Sequence, residues 1–140
     1  MSSITDTARR FFEACEAGQG WEGCKEYCTS DATFSAQAEP LAAMRRLEQY
    51  TEWMKALGTF MSAAGYVLKS FATDEERKNV CAYAVFSATH TGEGGPCPPT
   101  GKSMSTDYVY VMQFDDDGRI RHMTKVWHAG LALQALGWVT

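Results

Sequence analysis

Two β-rich runs meet at Phe114-Asp115-Asp116-Asp117-Gly118-Arg119-Ile120, and this junction constrains the chain more than any other stretch. Asp-Gly between such runs is a strong hairpin signal, because glycine there takes the positive φ that a tight turn needs. With Asp116-Asp117-Gly118 as the loop, Phe114 pairs with Ile120, Met112 with His122, Tyr110 with Thr124, Tyr108 with Val126 and Thr106 with His128. Side chains alternate across a strand, so this register divides them into two sets. One face carries Thr106, Tyr108, Tyr110, Met112, Phe114, Ile120, His122, Thr124, Val126 and His128; it is aromatic and apolar, with hydroxyls and two imidazoles. It suits the wall of a lined cavity. The other face, with Asp107, Val109, Val111, Met123, Lys125 and Trp127, is richer in charge and looks outward or toward a partner.

The rest of the chain supplies helices first and strands later. Thr5 or Asp6 can cap a helix whose apolar positions Ile4, Ala8, Phe11, Phe12 and Cys15 share one face, and Gly18-Gln19-Gly20 stops it. A short helix over Trp21 to Cys28 and a short strand from Ala32 to Gln37 follow. A long helix is expected from Pro40 to about Leu57, with proline in its first turn. Strands over Tyr66–Ala72 and Val80–His90 flank a charged turn, and the Gly/Pro-rich segment Thr91–Gly101 breaks regular structure before the hairpin. Leu131–Leu136 reads as a final helical turn or two. The order predicts one α+β domain over residues 1–140, a curved antiparallel sheet wrapped around the N-terminal helices, enclosing an apolar pocket.

Composition narrows the function classes. A net charge of −4, with no basic run, gives no reason to expect nucleic acid or an anionic membrane. No apolar run reaches membrane-spanning length. Five cysteines and a start that lacks a signal-peptide pattern predict a cytoplasmic protein with reduced thiols. Cys24 and Cys28 stand one helical turn apart without a matching ligand pair, so they read as packing residues. Asp115–Asp117 lacks calcium-loop spacing, and Gly92-Glu93-Gly94-Gly95 lacks the Lys-Ser/Thr of a phosphate loop. His122 and His128, six residues apart on a strand, are about 20 Å apart and cannot share a metal ion. Neither metal nor cofactor is expected.

Several segments resemble the nuclear transport factor 2-like superfamily and, within it, the SnoaL-like polyketide cyclase group. These are Phe11-Phe12-Glu13-Ala14-Cys15-Glu16, Asp31-Ala32-Thr33-Phe34, Tyr50-Thr51-Glu52-Trp53-Met54, the loop from Thr89 to Lys102, and the ending Leu133-Gln134-Ala135-Leu136-Gly137. The resemblance spans nearly the whole chain. It implies a cone-shaped, cystatin-like α+β barrel with a deep apolar cavity, commonly a homodimer through the sheet's outer face. It also implies a cyclase- or isomerase-like reaction, in which a carboxylate at the end of the last strand serves as general acid/base. Here His128 stands at that position, nine residues before Gly137, and Ala129 follows it.

His128 is therefore the candidate base, since imidazole titrates nearest neutral pH. Thr106, Tyr108 and Tyr110 are candidate donors to a developing enolate. His90, beside the Gly/Pro loop, is a second acid/base or a loop anchor. Asp107 faces away in this register; shifted by one residue, it would pair with His128 as an orienting carboxylate. Gln37, Tyr50 and Trp53 are candidates for the pocket's helix side, and His122 and Thr124 for its sheet side. Three readings remain open. One is a cofactor-free enzyme moving protons on a hydrophobic carbonyl compound; another is a catalytically silent binder of such molecules. The third is an interaction module using the outer face.

Overall fold

The computed structural model describes residues 3–139. Helix α1 spans Ile4–Glu16, capped by Ser3, whose hydroxyl accepts from the Asp6 amide at 3.2 Å. Thr5, expected as a cap, instead bonds the Thr73 hydroxyl at 2.6 Å. Helix α2 (Gly20–Cys24) runs into a 3₁₀ turn, Lys25–Tyr27, and strand β1 covers Cys28–Ala36. Helix α3 is Leu47–Phe60, so Pro40 lies in the preceding turns rather than in the helix. The reason is local: the Gln49 side chain accepts from both the Arg45 and Arg46 amides at 2.9 Å, which fixes the helix start there. Strands β2 (Met61–Asp74), β3 (Asn79–His90), β4 (Ser103–Phe114) and β5 (Ile120–Trp127) follow, and α4 is Ala129–Ala135.

The five strands form one sheet in the order β1-β5-β4-β3-β2. Strands β2 to β5 run antiparallel to their successors, as expected, but β1 pairs parallel to β5, which makes the sheet mixed. The class is α+β. Helix α1 crosses β2 and β3, where half of the inward positions of β3 are alanine (Ala82, Ala84, Ala88). These small side chains leave room for Phe11 and Phe12, both essentially without solvent contact. Phe12 meets the rings of Tyr66, Tyr108 and Tyr110, so the first helix and the central strand share one aromatic core.

The last hairpin departs from the expected register, and the departure decides what lines the interior. Phe114 pairs with Ile120 as expected, but Gln113 pairs with His122, leaving Arg121 as an extra residue. This is a β-bulge, which takes one residue out of the alternation. Beyond it Tyr110 faces Lys125 and Tyr108 faces Trp127. Ile120, Met123 and Lys125 are buried, whereas Val126 and His128 are exposed and His122 and Thr124 are half-buried. The β4 face was as read, and Ile120 faces inward as read; beyond the bulge the β5 face is inverted. Met123 and Trp127 therefore belong to the interior, and the apolar outer face carries Val67, Tyr83 and Val126 instead. Among the described residues no helix is long and apolar enough to cross a membrane.

Candidate functional site

Between α1, α3, α4 and the concave side of β3–β5 lies a narrow cavity. Its walls are chiefly aromatic and aliphatic: Trp53, Met54 and Leu57 from α3, Phe86 from β3, Trp127 from β5, and Leu136 and Trp138 from the C-terminal segment. Set into these walls are Glu16, Tyr50, Tyr108, Tyr110, Thr106 and Lys125. Such a mixture, mostly apolar with a few converging polar groups, is the form of a small-molecule site.

Lys125 sits at its centre. It is 7 % exposed, and its ammonium donates to the Tyr50 hydroxyl at 3.1 Å. Its Nζ lies 4.2 Å from the Trp127 ring centroid and 5.1 Å from that of Tyr50, so π-faces replace most of the water a lysine usually keeps. Burial pulls its pKa down to about 8, opposed by the charge of Glu16. Tyr50 and Tyr110 share a hydroxyl–hydroxyl hydrogen bond, completing a chain from Lys125 through α3 to β4.

Glu16 closes the opposite side. It is the last residue of α1, one helical turn after Phe12, and so extends the stripe that faces the sheet. Both carboxylate oxygens and the Tyr108 hydroxyl are shut off from solvent and make no hydrogen bond of good geometry, although the Tyr108 and Tyr110 hydroxyls stand near enough to Glu16 to favour its charge. Ion pairs among the described residues are surface pairs, so Glu16 and Lys125 are not in contact. Burial raises the Glu16 carboxyl above its usual range, against the pull of the Tyr110 hydroxyl, the Lys125 charge and the Tyr108 hydroxyl. Burial likewise raises the three tyrosines, which stay protonated donors. Unpaired buried polar atoms cost free energy unless something completes them. Here they are poised for polar atoms of a guest.

The candidate residues read from the sequence divide between this cavity and other places. Tyr50, Trp53, Thr106, Tyr108 and Tyr110 line it. The Thr106 hydroxyl accepts from the Trp127 indole at 3.2 Å and so fixes that wall. His128 lies outside. It is exposed at the N-cap of α4, its Nδ1 accepting from the Leu131 amide at 3.3 Å. With Asp107 and Gln37 it lines a separate shallow groove on the outer side. The β4–β5 pairing ends at Tyr108 and Trp127, just before Asp107 and His128, and the Asp107 carboxylate accepts from the Tyr83 hydroxyl at 3.3 Å. His122 and Thr124 face outward too, in a hydroxyl cluster: His122 bonds Thr33 at 2.7 Å, Ser35 at 3.0 Å and Thr124 at 3.2 Å. Burial and then the Arg121 charge lower the His122 pKa.

His90 is fully buried behind the cavity wall. Its Nδ1 accepts from the Trp138 indole at 2.9 Å, and its ring packs against Phe60 and Trp138. Its backbone holds both ends of the Gly/Pro loop, accepting from Gly101 at 2.8 Å and donating to the Lys102 carbonyl at 3.0 Å. It positions a wall residue and anchors the loop. Cys15, Cys24 and Cys28 are buried free thiols, and the described residues contain no cluster of three potential metal ligands.

The profile of the SnoaL-like domain matches residues 8–123, most of the chain. The chain belongs to the SnoaL-like family, within the NTF2-like superfamily. No curated protein matches the sequence. Solved structures with this SnoaL-like fold include a proposed SnoaL-like polyketide cyclase from Jannaschia sp. CCS1, at 17 % identity and TM-score 0.78, covering 98 % of this chain and 93 % of that one. IdmH, a proposed polyketide cyclase from Streptomyces antibioticus, is 20 % identical with TM-score 0.72, covering 97 % and 99 %. AclR, a proposed hydroxylase from Streptomyces galilaeus, is 18 % identical with TM-score 0.76, covering 97 % and 82 %. At these identities the likeness establishes the SnoaL-like fold, and the chemistry has to be argued from the cavity itself.

Proposed function

We propose that this SnoaL-like protein is a cofactor-free enzyme moving protons on a hydrophobic, carbonyl-containing small molecule, with the acid/base work done inside the aromatic cavity. The observation that carries the reading is a pair of unlike ionisable groups, Glu16 and Lys125, held apart in one apolar chamber. Beside them lies an unpaired Tyr108 hydroxyl. Burial weakens the hold of Glu16 on its charge, which makes its carboxylate a stronger base than an exposed one. The Tyr108 hydroxyl and the Lys125 ammonium are donors fixed before the reaction begins. A carbonyl oxygen placed between them gains its strongest hydrogen bonds as it becomes an enolate. Glu16 removes the α-proton and returns it to the same skeleton at another carbon, giving isomerisation, or the enolate carbon attacks a second carbonyl, giving ring closure. IdmH and the Jannaschia protein, both proposed polyketide cyclases, agree with this substrate class.

The test is deuterium uptake. Hydrophobic ketones and β-ketoesters are incubated with the protein in D₂O, and mass spectrometry reads label gained α to the carbonyl. Exchange by the parent that falls about 10²–10⁴-fold in Glu16→Gln supports the reading. Binding of the same compounds without exchange replaces it with the second reading, a silent small-molecule binder using the same cavity.

A further inference from the structure

We propose that Lys125 is a covalent catalytic site, whose amine condenses with the substrate's carbonyl carbon to form an iminium inside the cavity. The inference rests on the carbonyl-binding reading above and deepens it. An ammonium donor could have been supplied at the cavity mouth, with its charge in water. Instead the nitrogen stands deep among rings, 4.2 Å from the Trp127 centroid and 3.1 Å from the Tyr50 hydroxyl. Lysine in a desolvated pocket sheds its proton readily, and its lone pair then makes it a nucleophile toward carbonyl carbon.

The groups facing Lys125 supply the other steps. From α1 these are Glu16 and Cys15, from α3 Tyr50, and from β4 Tyr108 and Tyr110. Of these, Glu16 and Cys15 favour the charged amine, and burial outweighs them. The neutral Nζ attacks the carbonyl carbon; a C–N bond forms and the carbonyl π pair moves to oxygen, which takes a proton from a tyrosine hydroxyl. The nitrogen returns one proton to that tyrosine's oxygen and its lone pair forms the C=N bond, while the C–O bond breaks as the hydroxyl takes a second proton from the protonated Glu16 carboxyl and leaves as water. Ketone, amine and one proton yield iminium and water, with no change of oxidation state. Glu16 then takes the α-proton, and the electron pair comes to rest on nitrogen as an enamine. Hydrolysis reverses the sequence and frees Lys125.

The probe is benzoylacetone, a hydrophobic β-diketone whose condensation with an amine ends in a stable conjugated enaminone. The parent protein is treated at pH 8 and mapped by peptide mass spectrometry, the adduct mass being the diketone less one water. Lys25, Lys55, Lys69, Lys78 and Lys102 serve as internal controls within the same chain. At that pH a lysine with a pKa of about 8 has roughly a hundredfold more neutral amine than an ordinary one. The expected result is labelling of the Lys125 peptide on the order of tenfold faster than any control, since a less basic amine is also somewhat less nucleophilic. Lys125→Met loses that label and retains labelling of the controls. Because the map is read on the parent, the outcome does not depend on the variant folding. Labelling confined to the control lysines overturns the covalent step. If ketones still exchange deuterium in that case, the proton-transfer reading stands alone; if they neither label nor exchange, both readings fall.

Discussion

Replacing Lys125 with methionine should stabilise the protein at neutral pH and remove a pH dependence that the parent shows. The side chains are similar in length, so the cavity wall is kept while the buried charge is lost. Lowering a lysine pKa from 10.5 to about 8 corresponds to a penalty of about 3 kcal/mol on the charged folded form, at roughly 1.4 kcal/mol per tenfold. Between those two values the unfolded chain binds more protons than the folded one, so the parent gains stability as pH rises through that window. Below pH 8 the cost is fully present, and above 10.5 it is gone. Linkage gives about 3 kcal/mol at pH 7 and about 1 kcal/mol at pH 10. Methionine carries no such cost, so the variant's advantage should be about 1–3 kcal/mol at pH 7. The upper value is reduced by the loss of the neutral amine's own contact with Tyr50. That advantage should shrink by about 2 kcal/mol by pH 10. Urea unfolding followed by tryptophan fluorescence at both pH values measures it, and groups common to both proteins cancel in the difference. A variant destabilised by about 2 kcal/mol at pH 7, or a gap equal at both pH values, would show that Lys125 is not held in a desolvated charged state.

Three other outcomes follow from the same geometry. His128→Ala should leave deuterium exchange within about twofold of the parent and lower stability by about 0.5–2 kcal/mol, the worth of an N-cap, as read by exchange rates and urea midpoints. His90→Phe keeps the ring packing but strands the Trp138 indole; a loss of about 1–3 kcal/mol in urea unfolding, with weaker ligand binding by titration, is expected. In Glu16→Gln the buried carboxyl no longer ionises. Its raised pKa means that the folded parent binds more protons than the unfolded chain just above the ordinary carboxylate range, so the parent loses stability as pH rises there. Thermal scans through the mildly acidic range should show that decline in the parent and a flatter profile in the variant.

The sequence was most legible where a local rule had no competitor. The Asp-Gly turn, the strands around Val85 and Tyr110, the breaking of α1 near Gly18 and the face of β4 all follow from turn chemistry and alternation. The start of α3 did not, because a proline that suits a first helical turn competes with the Gln49 side chain, which binds the Arg45 and Arg46 amides from within the chain. The β5 face was misread for the same kind of reason. The apolar residues Ile120 and Met123 are three apart, an odd spacing that already signals a residue out of phase. Reading Met123 and Trp127 as inward would have brought Lys125 with them. Glu16 carried a comparable signal, one turn beyond Phe12 on the buried stripe. Lys125 was placed on the outward face and Glu16 was given no role, because a charged residue on an apolar face usually reaches solvent except where a chamber has been built around it.

The strand order β1-β5-β4-β3-β2 has a consequence for how this chain is made. As they emerge from the ribosome, β3 can pair with β2 and β4 with β3, each with its immediate predecessor. Strand β1 comes first and cannot: its sheet neighbour, β5, begins at Ile120. Until β5 is made the nascent chain therefore carries an orphan strand, joined once β4 has formed by an open edge on β4, both able to pair with another chain. The final strand is the wedge that joins them. A chain stalled before Ile120 leaves β1 and the edge of β4 unpaired, whereas the eight residues of β5 join them into one five-stranded sheet.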